Sequence, residues 1–177
     1  DQKNAAIELL KPICENKIVI GITGSRYHAS EDYRIDEDIV KEFNGVYCDA
    51  VGTFELEDTG KIFNIRHGSG ALPIHPGSKM DRELRALLIG QQLDKLPNID
   101  CLILGHFHTM AQYYINNKLF VLNGCWEGPR RNLYSAPNFL QYLPDIGSME
   151  LLVTKNDISV IQHNFSLQST KDYIYKI

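Results

Sequence analysis

The sequence predicts an α/β protein with a mixed sheet, and three observations carry that prediction. Short β-branched or apolar runs of strand length recur, most clearly at 17–22 and 100–104. Amphipathic helical stripes alternate with the early runs. Turn residues split the later runs into hairpins, so strands and helices alternate first and antiparallel pairs dominate last. The 177 residues suit one domain, 1–177. Hydrophobic residues make up 44% and charged residues 23%, enough apolar surface for a core and too much for a disordered tail. No run approaches the roughly 18 apolar residues of a membrane span. The net charge of −4 excludes a broad basic face for duplex nucleic acid and leaves room for a local phosphate site.

Each element has a local reason. Residues 2–11 read as a helix that Pro12 closes. Lys17–Ile22 is β-branched and reads as a buried strand. Asp32–Phe43 puts Ile35, Ile39, Val40 and Phe43 on one helical stripe. Asp32, Asp36, Glu37 and Asp38 favour its positive N-terminal end, and Gly45 ends it. Val51–Glu57 and Lys61–Arg66 form two strands joined at Asp58-Thr59-Gly60. Beyond a loop marked by Pro73, Pro76 and Gly77, Ser78 opens a helix with Asp81 three residues on. Met80, Leu84, Leu87 and Leu88 share one side of it, and Pro97 and Asn98 stop it. Asp100–Leu104 is an apolar strand. Ala111–Ile115 and Lys118–Leu122 make a hairpin around Asn116-Asn117. Residues 124–147, rich in Gly, Pro and Asn, read as a long ordered loop, and Glu150–Thr154 and Ile158–Gln162 as a last hairpin turning at Asn156-Asp157.

The four cysteines, Cys14, Cys48, Cys101 and Cys125, form no C-x-x-C pair, which excludes zinc-ribbon and thioredoxin patterns. Reduced thiols in a cytoplasmic protein are expected. The first 15 residues read as an amphipathic helix and not as a signal peptide.

Histidines mark the chemistry. His67 directly follows the strand 61–66, His106 and His108 follow the strand 100–104 through Gly105, and His28 follows the strand 17–22. In open α/β sheets ligands collect outside the carboxyl ends of the strands. Parallel neighbouring strands would bring these imidazoles to one edge, and neutral imidazole is a common ligand for zinc and iron. Gly105-His106-Phe107-His108 is the sharpest feature, because glycine lets the chain turn tightly off a strand towards a ligand.

On these residues the sequence resembles the calcineurin-like metallophosphoesterases. Residues 103–108, Ile-Leu-Gly-His-Phe-His, are similar to their final metal-binding motif, and residues 63–68 to their preceding strand-end histidine. Residues 122–128 and Pro144–Gly147 are similar to the C-terminal region of phage and archaeal members, and the resemblance spans roughly 17–165. It implies a layered α/β/β/α sandwich with mixed sheets. It implies a phosphoesterase that hydrolyses phosphate mono- or diesters with two divalent ions (Mn, Fe or Zn) and a bridging hydroxide as nucleophile. His106 and His67 would ligate one ion and His108 the other, with His28 as general acid.

The departures are specific. The family's Gly-Asn-His motif is replaced by residues 24–28, Gly-Ser-Arg-Tyr-His, with Ser25 in the place of Asn. Its Asp-x-His and Gly-Asp motifs are absent, so the chain is expected to be the C-terminal portion of a longer enzyme whose first strands lie upstream. Arg26 and Arg130, with Arg131 beside it, are candidates to grip a substrate phosphate. His75 is a rival for the place of His67, and His163 and the acidic stretch Glu31–Asp38 read as solvated. Trp126 lines a site mouth or caps the core. Expected partners are a phosphate-ester substrate and, through unpaired strand edges, further copies of the chain; nucleic acid stays open and a membrane is excluded. A DNA-end nuclease, a degenerate non-catalytic binding module and a mononuclear histidine-zinc protein are the alternatives.

Overall fold

The computed structural model describes residues 2–24, 34–68, 76–126 and 145–165. In chain order its elements are α1 (Gln2–Cys14), β1 (Ile20–Gly21), α2 (Ile35–Glu42), β2 (Val46–Tyr47), β3 (Val51–Leu56) and β4 (Lys61–Arg66). There follow α3 (Pro76–Gln92), β5 (Cys101–Leu104), β6 (Ala111–Ile115), β7 (Lys118–Leu122), β8 (Gly147–Val153) and β9 (Ile158–Asn164). The class is α/β with a mixed sheet, as the alternation of patterns predicts.

Five strands form the central sheet in the order β3-β4-β5-β7-β6. Its middle pairs, β4 with β5 and β5 with β7, are parallel, and the two outer pairs are antiparallel hairpins. Arg66, Leu104 and Leu122 stand in register, so three neighbouring strands end at the same edge. The ladder continues one residue past the strands: Gly105 N–H donates to the Arg66 carbonyl (3.1 Å) and Asn123 N–H to the Leu104 carbonyl (2.9 Å).

Strand side chains alternate between faces, and each face has its own cover. On one, Leu102, Leu104, Phe120 and Leu122 pack against Met80, Leu84 and Leu87 of α3. On the other, Phe63, Cys101, Leu119 and Val121 pack against Ile158, Met149, Leu151, Val153 and Val160 of the β8–β9 hairpin. The layers are therefore helix, five-stranded sheet and two-stranded sheet. A buried leucine here is worth about 2–5 kcal/mol against alanine. No described helix is long and apolar enough to cross a membrane.

Local chemistry sets the turns. Asn116 and Asn117 both take left-handed φ values, 51° and 58°, the demand of a two-residue hairpin. Gly60 does the same at φ 68° between β3 and β4. The last hairpin closes when Thr154 donates its N–H to the Asp157 carbonyl (2.8 Å) and its hydroxyl accepts the Asp157 N–H (3.0 Å).

Several bounds differ from the sequence reading. α1 runs through Pro12 to Cys14. The bond that proline forfeits lies in the last turn, and Glu15 N–H still reaches the Lys11 carbonyl (2.9 Å). β1 keeps only two of the six residues expected, because its parallel partner β2 is itself two residues long and too short to show a pattern. α2 ends with Asn44 in the left-handed conformation (φ 52°) and not with Gly45. Gly45 is required for another reason: a Cβ there would stand 2.6 Å from the Val19 carbonyl. α3 begins two residues before Ser78.

Candidate functional site

The shared edge of β4, β5 and β7 is the place where histidines gather. His67 leaves β4 directly, and His106 and His108 leave β5 through Gly105. The two chain exits touch. A Cβ on Gly105 would lie 3.5 Å from the His67 carbonyl, and one on Gly68 (φ 87°) would lie 3.1 Å from both the Gly105 carbonyl and the Phe107 ring. Glycine at 68 is therefore a requirement of conformation and of contact.

This approach sets His106 Nδ1 3.1 Å from His67 Nε2. The rings meet edge to face, with centroids 4.9 Å apart and planes at 64°. Phe107, buried in the α3-side core, holds the loop from beneath and packs edge-on against His106 at 5.3 Å. His106 and His108 both adopt left-handed backbone, at φ 78° and 53°. Each such residue costs about 1–2 kcal/mol, and strain of this kind persists where the surroundings over-determine it.

A polar belt underlies the edge. Arg66 donates to Asn64 Oδ1 (3.0 Å) and to Glu83 Oε2 (3.3 Å). Lys79, 3% exposed, pairs with Glu83 Oε1 at 2.9 Å, and its ammonium stands 5.5 Å from the centre of the Phe107 ring. One carboxylate thus serves two cations, one beside His67 and one against Phe107. The buried Asn64 amide donates to Thr53 Oγ1 (2.8 Å). Sequence reading missed Lys79 and Glu83, whose i,i+4 spacing on a helix marks an ordinary surface pair.

His108 is fixed through Asp145, another residue the sequence reading did not single out. Asp145 N–H donates to the His108 carbonyl (2.8 Å), and its carboxylate accepts the Met110 N–H (2.7 Å). The described ends of the stretch 124–147 cross: Cys125 and Ile146 form a parallel bridge, with Cys125 N–H donating to the Asp145 carbonyl (3.0 Å), and residues 127–144 lie outside the described residues.

The donor chemistry can be tested against a metal ion. Two nitrogens bound to one tetrahedral zinc, each at about 2.0–2.1 Å, stand roughly 3.3 Å apart. The His67–His106 spacing of 3.1 Å, that of a hydrogen bond between the two rings, is close to this separation. Among the described residues no three His, Cys, Asp or Glu side chains converge on one point, so the described part of the edge offers a pair of donors and His108 stands apart from it. His28, Arg26, Arg130, Ser25, Arg131 and His75 lie outside the described residues. His163 is half exposed on β9 and bonds Glu150 Oε2 at 2.8 Å. Trp126 is exposed and packs on Phe165, with centroids 5.5 Å apart. No disulfide joins the four cysteines, and burial pushes the Cys101 thiol up to about 12.

No known family model matches the sequence, and no curated protein matches it. Solved structures do. Vps29 of Entamoeba histolytica, in a crystal structure with zinc, is 17% identical over 90% of this chain and 89% of its own, with a TM-score of 0.50. A novel archaeal phosphodiesterase is 17% identical over 90% of this chain and 76% of its own, with a TM-score of 0.51. At that identity the likeness is one of fold.

Proposed function

We propose, on the premise that this chain has the calcineurin-like metallophosphoesterase fold, that it belongs to a metal-dependent phosphoesterase acting on phosphate mono- or diesters. The observation that supports the reading best is the 3.1 Å approach of His67 Nε2 to His106 Nδ1 at the carboxyl edge of parallel strands. His67 and His106 would hold one divalent ion, and His108 would serve a second. Ions bound there supply Lewis-acid charge for the phosphoryl oxygens. The chain's own groups do the rest. The left-handed loop 106–108 presents its imidazoles from a rigid strand end and Phe107 keeps that loop seated. His28 would deliver a proton to the leaving oxygen. Arg26 and Arg130 would grip the remaining phosphate oxygens through paired N–H donors. The phosphodiesterase among the structural neighbours supports the reaction class, and the zinc in the Vps29 crystal supports the ion class. A reducing cytoplasmic setting fits four cysteines of which none is disulfide-bonded.

The test is hydrolysis of bis-p-nitrophenyl phosphate with added manganese by the full-length protein, alongside elemental analysis. The expected result is bound divalent metal and turnover, with both lost in H67A and H106A. One equivalent of metal would favour the mononuclear histidine-zinc protein, and none the degenerate binding module. Neither metal nor turnover would refute the enzymatic reading.

A further inference from the structure

We infer that Trp126 and Phe165 form a stacking platform for the nucleobase of a nucleotide substrate. The inference deepens the phosphoesterase reading by naming what the ester carries, and it rests on that reading for the ester alone. The sequence leaves Trp126 between lining a site mouth and capping the core. Its exposure of 58% excludes the core, and Phe165 beside it is 50% exposed. The ring centroids stand 5.5 Å apart with planes at 35°, so the two rings adjoin and neither covers the other. Adjoining open rings offer π faces on which any base stacks.

Both rings hang from one pinned point beside the histidine loop. Trp126 follows Cys125, whose N–H donates to the Asp145 carbonyl (3.0 Å) and whose carbonyl accepts the Gly147 N–H (3.0 Å). Phe165 N–H donates to the Ile146 carbonyl (2.8 Å). Asp145 N–H in turn donates to the His108 carbonyl (2.8 Å). Residues 145–147 therefore join the two rings to the loop of His106 and His108. Glycine at 124 permits the closeness, because a Cβ there would stand 2.6 Å from the Asp145 carbonyl and 2.8 Å from Met110 Cγ. A platform held this way loses little freedom when a ligand lands on it.

The surroundings favour a base over a protein partner. His163 precedes Phe165 on the outer face of the hairpin, and its bond to Glu150 Oε2 (2.8 Å) sets a polar pair between the rings and Ile161. Two rings are a small part of the roughly 800 Å² that each partner buries in a stable protein interface, and they match the size of a base. Stacking needs no cation, which suits a net charge of −4; that charge opposes a long polyanion far more than one nucleotide. The phosphate of a base seated there would be directed to the histidine loop.

The experiment uses the full chain without metal, with adenosine 5′-monophosphate (AMP) and ribose 5-phosphate as probes that differ at the base. Trp126 is the only tryptophan, so its emission, excited at the red edge of the band, reports the platform directly. Equilibrium dialysis gives the affinity of wild type, Trp126→Leu, Phe165→Leu and Trp126→Tyr. AMP should quench the emission and saturate, and ribose 5-phosphate should leave it unchanged. W126L and F165L keep an apolar side chain without a ring, and should weaken AMP binding about tenfold or more. W126Y restores a ring and should stay within about threefold of wild type. If a leucine variant does not fold, quenching in the wild type still decides. Equal binding of the two probes, or wild-type affinity in W126L, would overturn the inference. So would a chain that binds no AMP, and a concentration-dependent dimer abolished by W126L would then assign the rings to a second copy. A chain that binds AMP at Trp126 and hydrolyses no ester with manganese would overturn the phosphoesterase reading instead and leave the platform standing.

Discussion

Removing the Glu83 carboxylate should be far more damaging than removing its lysine partner, although both belong to one ion pair. Glu83 bonds Lys79 at 2.9 Å and Arg66 at 3.3 Å, and the Lys79 side chain is 2% exposed. In Glu83→Ala the buried ammonium loses one carboxylate partner, and the Arg66 guanidinium loses its bond to the same group. Breaking a buried pair from one side costs about 3–5 kcal/mol, and the partial exposure of Glu83 and Arg66 sets the expectation near the lower bound. Lys79→Met differs in kind. It fills the same space with apolar atoms against Phe107 and leaves Glu83 its bond to Arg66, so about 1 kcal/mol or less should be lost. The double variant K79M/E83M should recover about 1 kcal/mol relative to E83A, since apolar replacement of both partners removes the desolvation problem. Urea unfolding followed by far-UV circular dichroism measures all three, with stability from linear extrapolation. A loss of about 3 kcal/mol is large against the total of about 5–15 kcal/mol typical of a domain. An E83A variant within about 1 kcal/mol of wild type, or a K79M variant as unstable as E83A, would show that the belt is not organised around the carboxylate.

Three further outcomes follow from particular contacts. His106→Asn should lose zinc binding yet unfold no more readily than wild type, and up to about 1 kcal/mol less readily, because asparagine accepts φ 78° more easily than histidine; urea melts with a zinc titration measure both. Cys101 should resist thiol reagents in the native chain at pH 8 and react on unfolding, since burial first and the Asp100 charge second push its thiol up to about 12. The native state then holds a proton that the unfolded chain releases above its ordinary value of 9.0, so stability should fall from about pH 9 towards 12 by at most about 1.4 kcal/mol per pH unit, and a Cys101→Ala variant should lack that slope. Gly124→Ala should destabilise by about 1–3 kcal/mol, because the added Cβ meets the Asp145 carbonyl backbone and Met110; a thermal melt that matches wild type would contradict the close packing of that crossing.

The parts of the fold legible in the sequence are those decided within a few residues. β4, β6 and β7 have the predicted bounds, because alternation and turn residues act over one hairpin. α3 shows its buried side at Met80, Leu84 and Leu87 for the same reason of short period. What escaped depends on partners far along the chain. β2 is two residues long and exists only because β1 lies beside it. The parallel contact of β4 with β5 joins segments almost 40 residues apart, and no local pattern states that Arg66 should stand opposite Leu104. The histidines were visible as strand-end residues; their 3.1 Å approach is a property of that register. Asp145 stood within the stretch 144–147 without a role of its own, and Glu83 was not singled out, because each acts by reaching a distant backbone or cation. In sequence the first is a loop aspartate and the second half of a helical surface pair.

The distribution of backbone strain separates the histidine edge from the rest of the described structure. Eight described residues other than glycine have positive φ. Asn16, Asn44, Asp49, Asp94, Asn116 and Asn117 are the types whose short polar side chains tolerate that region. They sit at turns and helix ends, where chain reversal alone explains them. His106 and His108 are the two that are neither Asn nor Asp, and they flank a buried phenylalanine at the edge where three strands end in register. The neighbourhood adds a second departure of the same sort, since an ammonium 3% exposed beneath Phe107 stabilises less than an apolar side chain of its size would. The belt of Asn64, Arg66, Lys79 and Glu83 meets that loop at one place, where the Lys79 ammonium stands 5.5 Å from the centre of the Phe107 ring.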